Sequence, residues 1–190
     1  RLGVGLFLLG ARVPGQILLR EVAFPYVEQL HHLTRDSAFV FLADVSVPAA
    51  AIVDAVRRPH GPGDGVDETS TAVLAATRVL HACGTSDGEA LASPRMPVNA
   101  DDMARTRRQG YTVVRVAAGV TGVAAPVLTA AGTATAALAV AGPASRLRPD
   151  TVASHLLRAC AAVSRALQCN PRLASRFPAS ARRPVSRAAA

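Results

Sequence analysis

The sequence predicts an α+β domain, a central antiparallel sheet flanked by helices, and three observations carry that expectation. Five short apolar runs of strand length are spread over residues 38–141, helical periodicity brackets them on both sides, and two further helical stretches divide them into groups of two and three. Half of the 190 residues are apolar, which is ample for one core. Residues 1–14 read as a linker leading into the domain, residues 15–170 as the domain itself. Residues 171–190 are a tail of Pro, Ser, Ala and Arg with few side chains fit for a core, and disorder is expected there.

The elements follow in order. Gly3 to Gly10 is apolar and reads as a short helix or connecting segment ending near Pro14-Gly15. From Gln16, the residues Ile17, Leu18, Val22, Val27, Leu30 and Leu33 recur at helical spacings, and Pro25 is expected to kink or divide that helix. Ala38 to Ala43 and Ala51 to Val56 are β-type runs able to pair across Pro48. A Gly- and Pro-containing loop at 60–65 leads to Thr69-Ser70-Thr71, expected to cap a helix running to about Cys83 with Val73, Leu74, Thr77 and Leu80 on one side. Asn99 to Asp102 opens a short helix that stops at Gly110. Tyr111 to Val116 makes a third strand. Asp150 starts the last helix, with Val152, Leu156, Ala159, Val163 and Leu167 as its apolar stripe and Pro171 beyond its end.

Between Arg115 and Arg146 there is no charge at all. A membrane-spanning helix needs about 20 predominantly apolar residues. Here Gly119, Gly122, Pro126, Gly132 and Gly142 interrupt the run, and Ala and Thr supply most of its bulk. Divided at Ala130-Ala131-Gly132 it becomes two strands, Val123 to Leu128 and Ala134 to Ala141, joined by a Gly-containing turn. A buried hairpin is expected, and no membrane association.

Net charge is +8, but its distribution matters more than its size. Residues 1–145 hold twelve Arg and twelve Asp or Glu and are neutral, whereas residues 146–190 hold nine Arg against Asp150 alone. With no Trp, two Tyr and five Phe, platforms for stacking single-stranded bases are scarce, so nucleic-acid binding by the body is not expected. Cys83, Cys160 and Cys169 lack a C-x-x-C spacing and their odd number argues against a disulfide framework, leaving buried free thiols.

Catalytic constellations are missing. There is no G-x-S-x-G, no H-E-x-x-H, and no phosphate-binding loop of the G-x-x-x-x-G-K type, since the chain has no Lys. Gly3-Val4-Gly5 and Gly61-Pro62-Gly63 lack the rest of a dinucleotide fingerprint. His31 and His32 are adjacent, and His81 and Cys83 are two apart, so neither pair shares a helix face for a metal. Asp67-Glu68 and Asp101-Asp102 lie where helices begin, and negative charge there complements the dipole. No enzyme activity, cofactor or metal is expected.

The hairpin carries a resemblance. Arg108-Gln109-Gly110-Tyr111, the strand Gly119-Val120-Thr121-Gly122-Val123-Ala124-Ala125-Pro126-Val127, the turn Gly132, and Ala139-Val140-Ala141-Gly142-Pro143-Ala144-Ser145-Arg146 stand in one order. They resemble the C-terminal effector-binding domain of IclR-type transcriptional regulators, a GAF-like sensing fold, with its R-x-x-G-Y, G-[VL]-x-x-[VIL]-A-A-P-[VI] and S-G-P-x-x-R motifs. Leu2-Gly3, Leu9-Gly10, Phe24-Pro25 through Leu30, and Asp102 to Arg107 are similar to the linker and helix signatures of that family, so the resemblance spans roughly residues 1–170.

That resemblance implies a cytoplasmic regulator that binds DNA through a winged helix-turn-helix upstream of Arg1, associates as a homodimer or tetramer, and responds to a small molecule beside the sheet. The sequence departs from the family at Thr77 to Ala82, where a G-[KR]-A-x-L-A helix is weakly kept, and at Thr112 to Arg115, which replaces an acidic run. The ligand-facing positions carried over from the family fall on Ala75, Ala76, Val120, Gly122, Ala139 and Ala141, all apolar or glycine. Such a lining has little with which to satisfy a buried carboxylate. The expected effector is therefore apolar or aromatic, oriented by Thr77, Thr121 and Arg115. The alternatives are a sensor or dimerisation domain of another signalling protein, and a regulator domain that has lost its effector.

Overall fold

The computed structural model describes residues 3–43, 50–59, 67–84, 99–116 and 119–169. The loop expected at 60–65 and the tail at 171–190 lie outside the described residues. Nine elements follow the expected order: α1 (Gly3–Thr34), β1 (Ser37–Leu42), β2 (Ala51–Val56), α2 (Glu68–Cys83), α3 (Ala100–Gln109), β3 (Thr112–Val116), β4 (Val120–Leu128), β5 (Ala134–Pro143) and α4 (Pro149–Gln168). The strands form one antiparallel sheet in the order β2-β1-β5-β4-β3.

The uncharged stretch is the β4–β5 hairpin at the sheet's centre. Both strands are longer than expected, because the glycines read as interruptions, Gly122 and Gly142, lie within ladder positions. The turn closes through Thr129, whose N–H donates to Thr133 O at 2.9 Å and whose carbonyl accepts from Gly132 N at 3.0 Å. Gly132 takes the left-handed conformation this turn requires.

Strand alternation splits the core into two layers. One face buries Ala38, Val40, Val123, Ala125, Val127, Leu138 and Val140 under α1 and α4. The other buries Phe39, Phe41, Val114, Ala124, Ala137, Ala139 and Ala141 under α2. The α4 stripe is as expected, with Val152, Leu156, Ala159 and Val163 buried and Leu167 packed at the margin. Asn99 caps α3 through a 3.1 Å bond from Asp101 N, and left-handed Gly110 ends it.

Three local expectations are corrected. Neither Pro14-Gly15 nor Pro25 ends the first helix, which is continuous from Gly3 to Thr34. Pro25 is exposed, so the carbonyl its ring deprives of a partner lies on the solvent side, while Leu19, Ala23, Val27 and Leu30 bury the opposite face. Ile17 and Leu33 are exposed rather than part of that stripe. Second, α2 is capped by Asp67, which accepts from Ser70 N at 2.8 Å, and its buried face centres on Ala72, Ala75, Ala76 and Val79; Val73 and Leu74 are only half-buried. Third, of the three free thiols only Cys160 is buried. Its Sγ–H donates to Ala125 O at 3.4 Å, and burial pushes its pKa up to about 12.

Candidate functional site

The candidate site is the interface between α2 and the hairpin. Alanines at 72, 75 and 76 give the helix a flat side, and the pairing of Gly122 with Ala141 and Ala124 with Ala139 gives the sheet a matching one. Small side chains on both surfaces let the backbones approach. A methyl group added at Gly122 would lie 3.0 Å from both Thr71 Cγ2 and Thr71 O, which is tighter than ordinary packing. Ala75, Ala76, Val120, Gly122, Ala139 and Ala141 are all buried, and strand alternation places them on this face.

The expected polar groups are distributed differently. Thr77 is on the α2 side, and its hydroxyl accepts from Ala50 N at 3.0 Å, tying α2 to the start of β2. Thr121 and Arg115 face one another across the β3–β4 ladder and belong to the opposite side of the sheet from Gly122. They line a concavity of about 450 Å³ with the residues that lead into α4. Thr121 and Arg115 therefore do not join the other positions, because adjacent strand residues point to opposite faces. Two other concavities, one between α3 and β3 and one between α1 and α4, contain none of the six small-residue positions.

Charge is concentrated where α2 and β1 begin. Glu68, only 2 % exposed, accepts from the Ser37 hydroxyl and from Arg58 Nη2 at 3.1 Å, while Arg58 N donates to Ser37 Oγ at 3.0 Å. On the other face Asp36, also 2 % exposed, accepts from Arg146 Nη2. A methyl group at Gly142 would collide with the Asp36 carboxylate, so the glycine is the seat of that group. Burial pushes the Asp36 carboxyl above its ordinary range, and the Arg146 guanidinium opposes that shift. Sequence reasoning missed both acids: Asp67 does what was expected of the Asp67-Glu68 pair, but Glu68 turns inward. The available signal was Arg146, the basic end of the family's S-G-P-x-x-R motif.

No protein-family model matches the sequence, and no curated protein matches it. Solved structures do. An IclR homologue from Microbacterium sp. strain HM58-2 superposes with a TM-score of 0.67 at 19% identity, covering 88% of this chain and 74% of that one. An IclR homologue from Microbacterium hydrocarbonoxydans, solved in complex with 4-hydroxybenzoate, gives 0.65 at 17% identity over 82% and 70%. The fold is that of the IclR regulators. The Thermotoga maritima IclR adds a third case, at a TM-score of 0.64, 18% identity and coverage of 81% and 72%. The IclR-type fold suggested by the hairpin motifs is thus present, with the six small-residue positions on the α2 side of its sheet. Among the described residues, no helix is long and apolar enough to cross a membrane.

Proposed function

We propose that this chain is the effector-binding and oligomerisation domain of an IclR-type transcriptional regulator in the cytoplasm, a sensor rather than an enzyme. Its partners on this reading are a second copy of itself, DNA reached through an upstream winged helix-turn-helix, and a small apolar or aromatic effector. The observation that carries the reading is the shared fold, with a likeness to a regulator solved with an aromatic acid. The effector's contacts are assigned to Ala75, Ala76, Val120, Gly122, Ala139 and Ala141, with Thr77 the one of the three expected polar groups that lies on that side.

The close seating of α2 on Gly122 sets a condition. Ligand entry requires α2 to lift from β4 and β5, so the effector selects an open conformation, and its apparent affinity falls by the fraction of molecules that are open. Titration of the 190-residue chain with 4-hydroxybenzoate and uncharged aromatics, followed by calorimetry, tests this. Saturable binding that is lost in Ala76→Leu and Ala139→Leu is expected; binding by none of the aromatics, or binding indifferent to both substitutions, overturns the effector assignment. The tight Gly122–Thr71 contact favours a second reading, a domain that holds the oligomer and senses nothing. Light scattering that finds a dimer or tetramer, together with an empty titration, selects it.

A further inference from the structure

The concavity on the far face of β4 has the features of an anion site. It is lined by Arg115 on β3, Thr121 on β4, Ser145 to Arg148 in the connection, and Pro149 to Thr151 in the first turn of α4. Thr121 is 1 % exposed, and its hydroxyl makes no side-chain hydrogen bond to another described residue. The hydroxyl belongs to the lining of the concavity, where a ligand oxygen can reach it. Beside it, α4 begins without a side-chain cap, because its N-cap residue is Arg148, which cannot accept a bond. Pro149 has no N–H, so the amides of Asp150 and Thr151 are the uncapped donors of the first turn. Helix N-termini of this kind favour negative charge through their amides and dipole.

The side-chain charge agrees. Arg115 and Arg148 are exposed and make no ion pair among the described residues, while Arg146 is engaged with Asp36 and with Arg35 O. Asp150 is the one carboxylate in the lining. We propose that this concavity binds the oxyanion group of a small phosphorylated or polycarboxylate molecule. Arg115 and Arg148 supply the charge, the first-turn amides of α4 and the Thr121 hydroxyl the directed donors. The site is separate from the α2 interface and does not depend on the effector reading. The two lie back to back across β4, at Thr121 and Gly122.

The test uses the 190-residue chain, inorganic phosphate and citrate as probes, and constant ionic strength. Calorimetry measures affinity, and amide NMR shifts report where each probe sits. Saturable binding with shifts at Thr121, Asp150 and Thr151 is expected, phosphate preference marking a phosphoryl ligand and citrate preference a polycarboxylate. Arg115→Gln, Arg148→Gln and the near-isosteric Thr121→Val should each weaken binding about tenfold, the usual scale for losing one hydrogen bond to a charged group. Arg165→Gln, at the other end of α4, should leave it unchanged. Because Arg115 and Arg148 are exposed, their variants keep the proposal testable even if Thr121→Val folds poorly. Non-saturating responses, or equal losses in Arg165→Gln and Arg148→Gln, would reduce the effect to net charge and overturn the proposal.

Discussion

Single residues set the tightest constraints, and two glycines illustrate them. Gly142 lies under the buried Asp36 carboxylate, so Gly142→Ala must push aside either that group or the Arg146 that neutralises it. Overpacking costs about 1–3 kcal/mol and loss of a buried pair about 3–5 kcal/mol, and urea unfolding should show a destabilisation within that span. Gly122→Ala presses on Thr71 by a few tenths of an ångström; a smaller loss of about 1–2 kcal/mol is expected by the same measurement. A variant at Gly142 with unchanged stability would mean that Asp36 is not held where described. Neither requirement was legible in the sequence, where both glycines read as interruptions of an apolar run. What imposes them is a residue far away in the chain, Asp36 in one case and Thr71 in the other.

Elements were more legible, for a physical reason. Periodicity and punctuation are local, so the α3 boundaries, the α4 stripe and the Gly132 turn followed directly from Asn99, Gly110, Val152 and Gly132. Errors arose where tertiary burial outweighs local preference. Pro25 sits on the exposed side of α1, whose other side is held by Leu19, Ala23, Val27 and Leu30, and a single lost backbone bond does not divide such a helix. At α2 the hydroxyl-rich Thr69-Ser70-Thr71 suggested a cap one turn too late; Asp67 performs it. Asp67→Ala should lower stability by about 1 kcal/mol with no change in fold by circular dichroism, the ordinary value of an N-cap. Likewise the six small-residue positions were found together because they share one face. Thr121 and Arg115 could not join them, since a shift of one residue along a strand reverses the face.

On the scale of the whole molecule, the two core layers differ in kind. The α1/α4 layer is built mainly of Leu and Val, while the α2 layer is largely Ala apart from the stacked Phe39 and Phe41 rings, 5.9 Å between centroids. Alanine buries little apolar area per residue, so the α2 layer is the easier of the two to part. Acid stability adds a global signature. The folded-state pKa of Asp36 lies above its ordinary 3.8, so the folded state holds the proton more firmly than the unfolded one. Its contribution to stability is complete below the unfolded value and is lost as pH rises through the folded value. Asp67 has the opposite sign, because its bonds from Ser70 lower its pKa, and its contribution is lost as pH falls. Asp36→Asn should therefore steepen the loss of stability as the pH falls toward the ordinary carboxylate value of 3.8, relative to the parent. Unfolding curves at several pH values check this, and parallel curves would show that Asp36 titrates normally.

The opposite orientation of Thr121 and Gly122 also bears on how this chain can change over generations. A codon gained or lost within β4 would hand each face the side chains of the other, placing a hydroxyl against the Thr71 turn of α2 and a hydrogen atom beside the first turn of α4. Drift in length is therefore barred from the strand and diverted to the turn at 129–133, where Ala130, Ala131 and Gly132 are exposed and the chain can grow without disturbing either face.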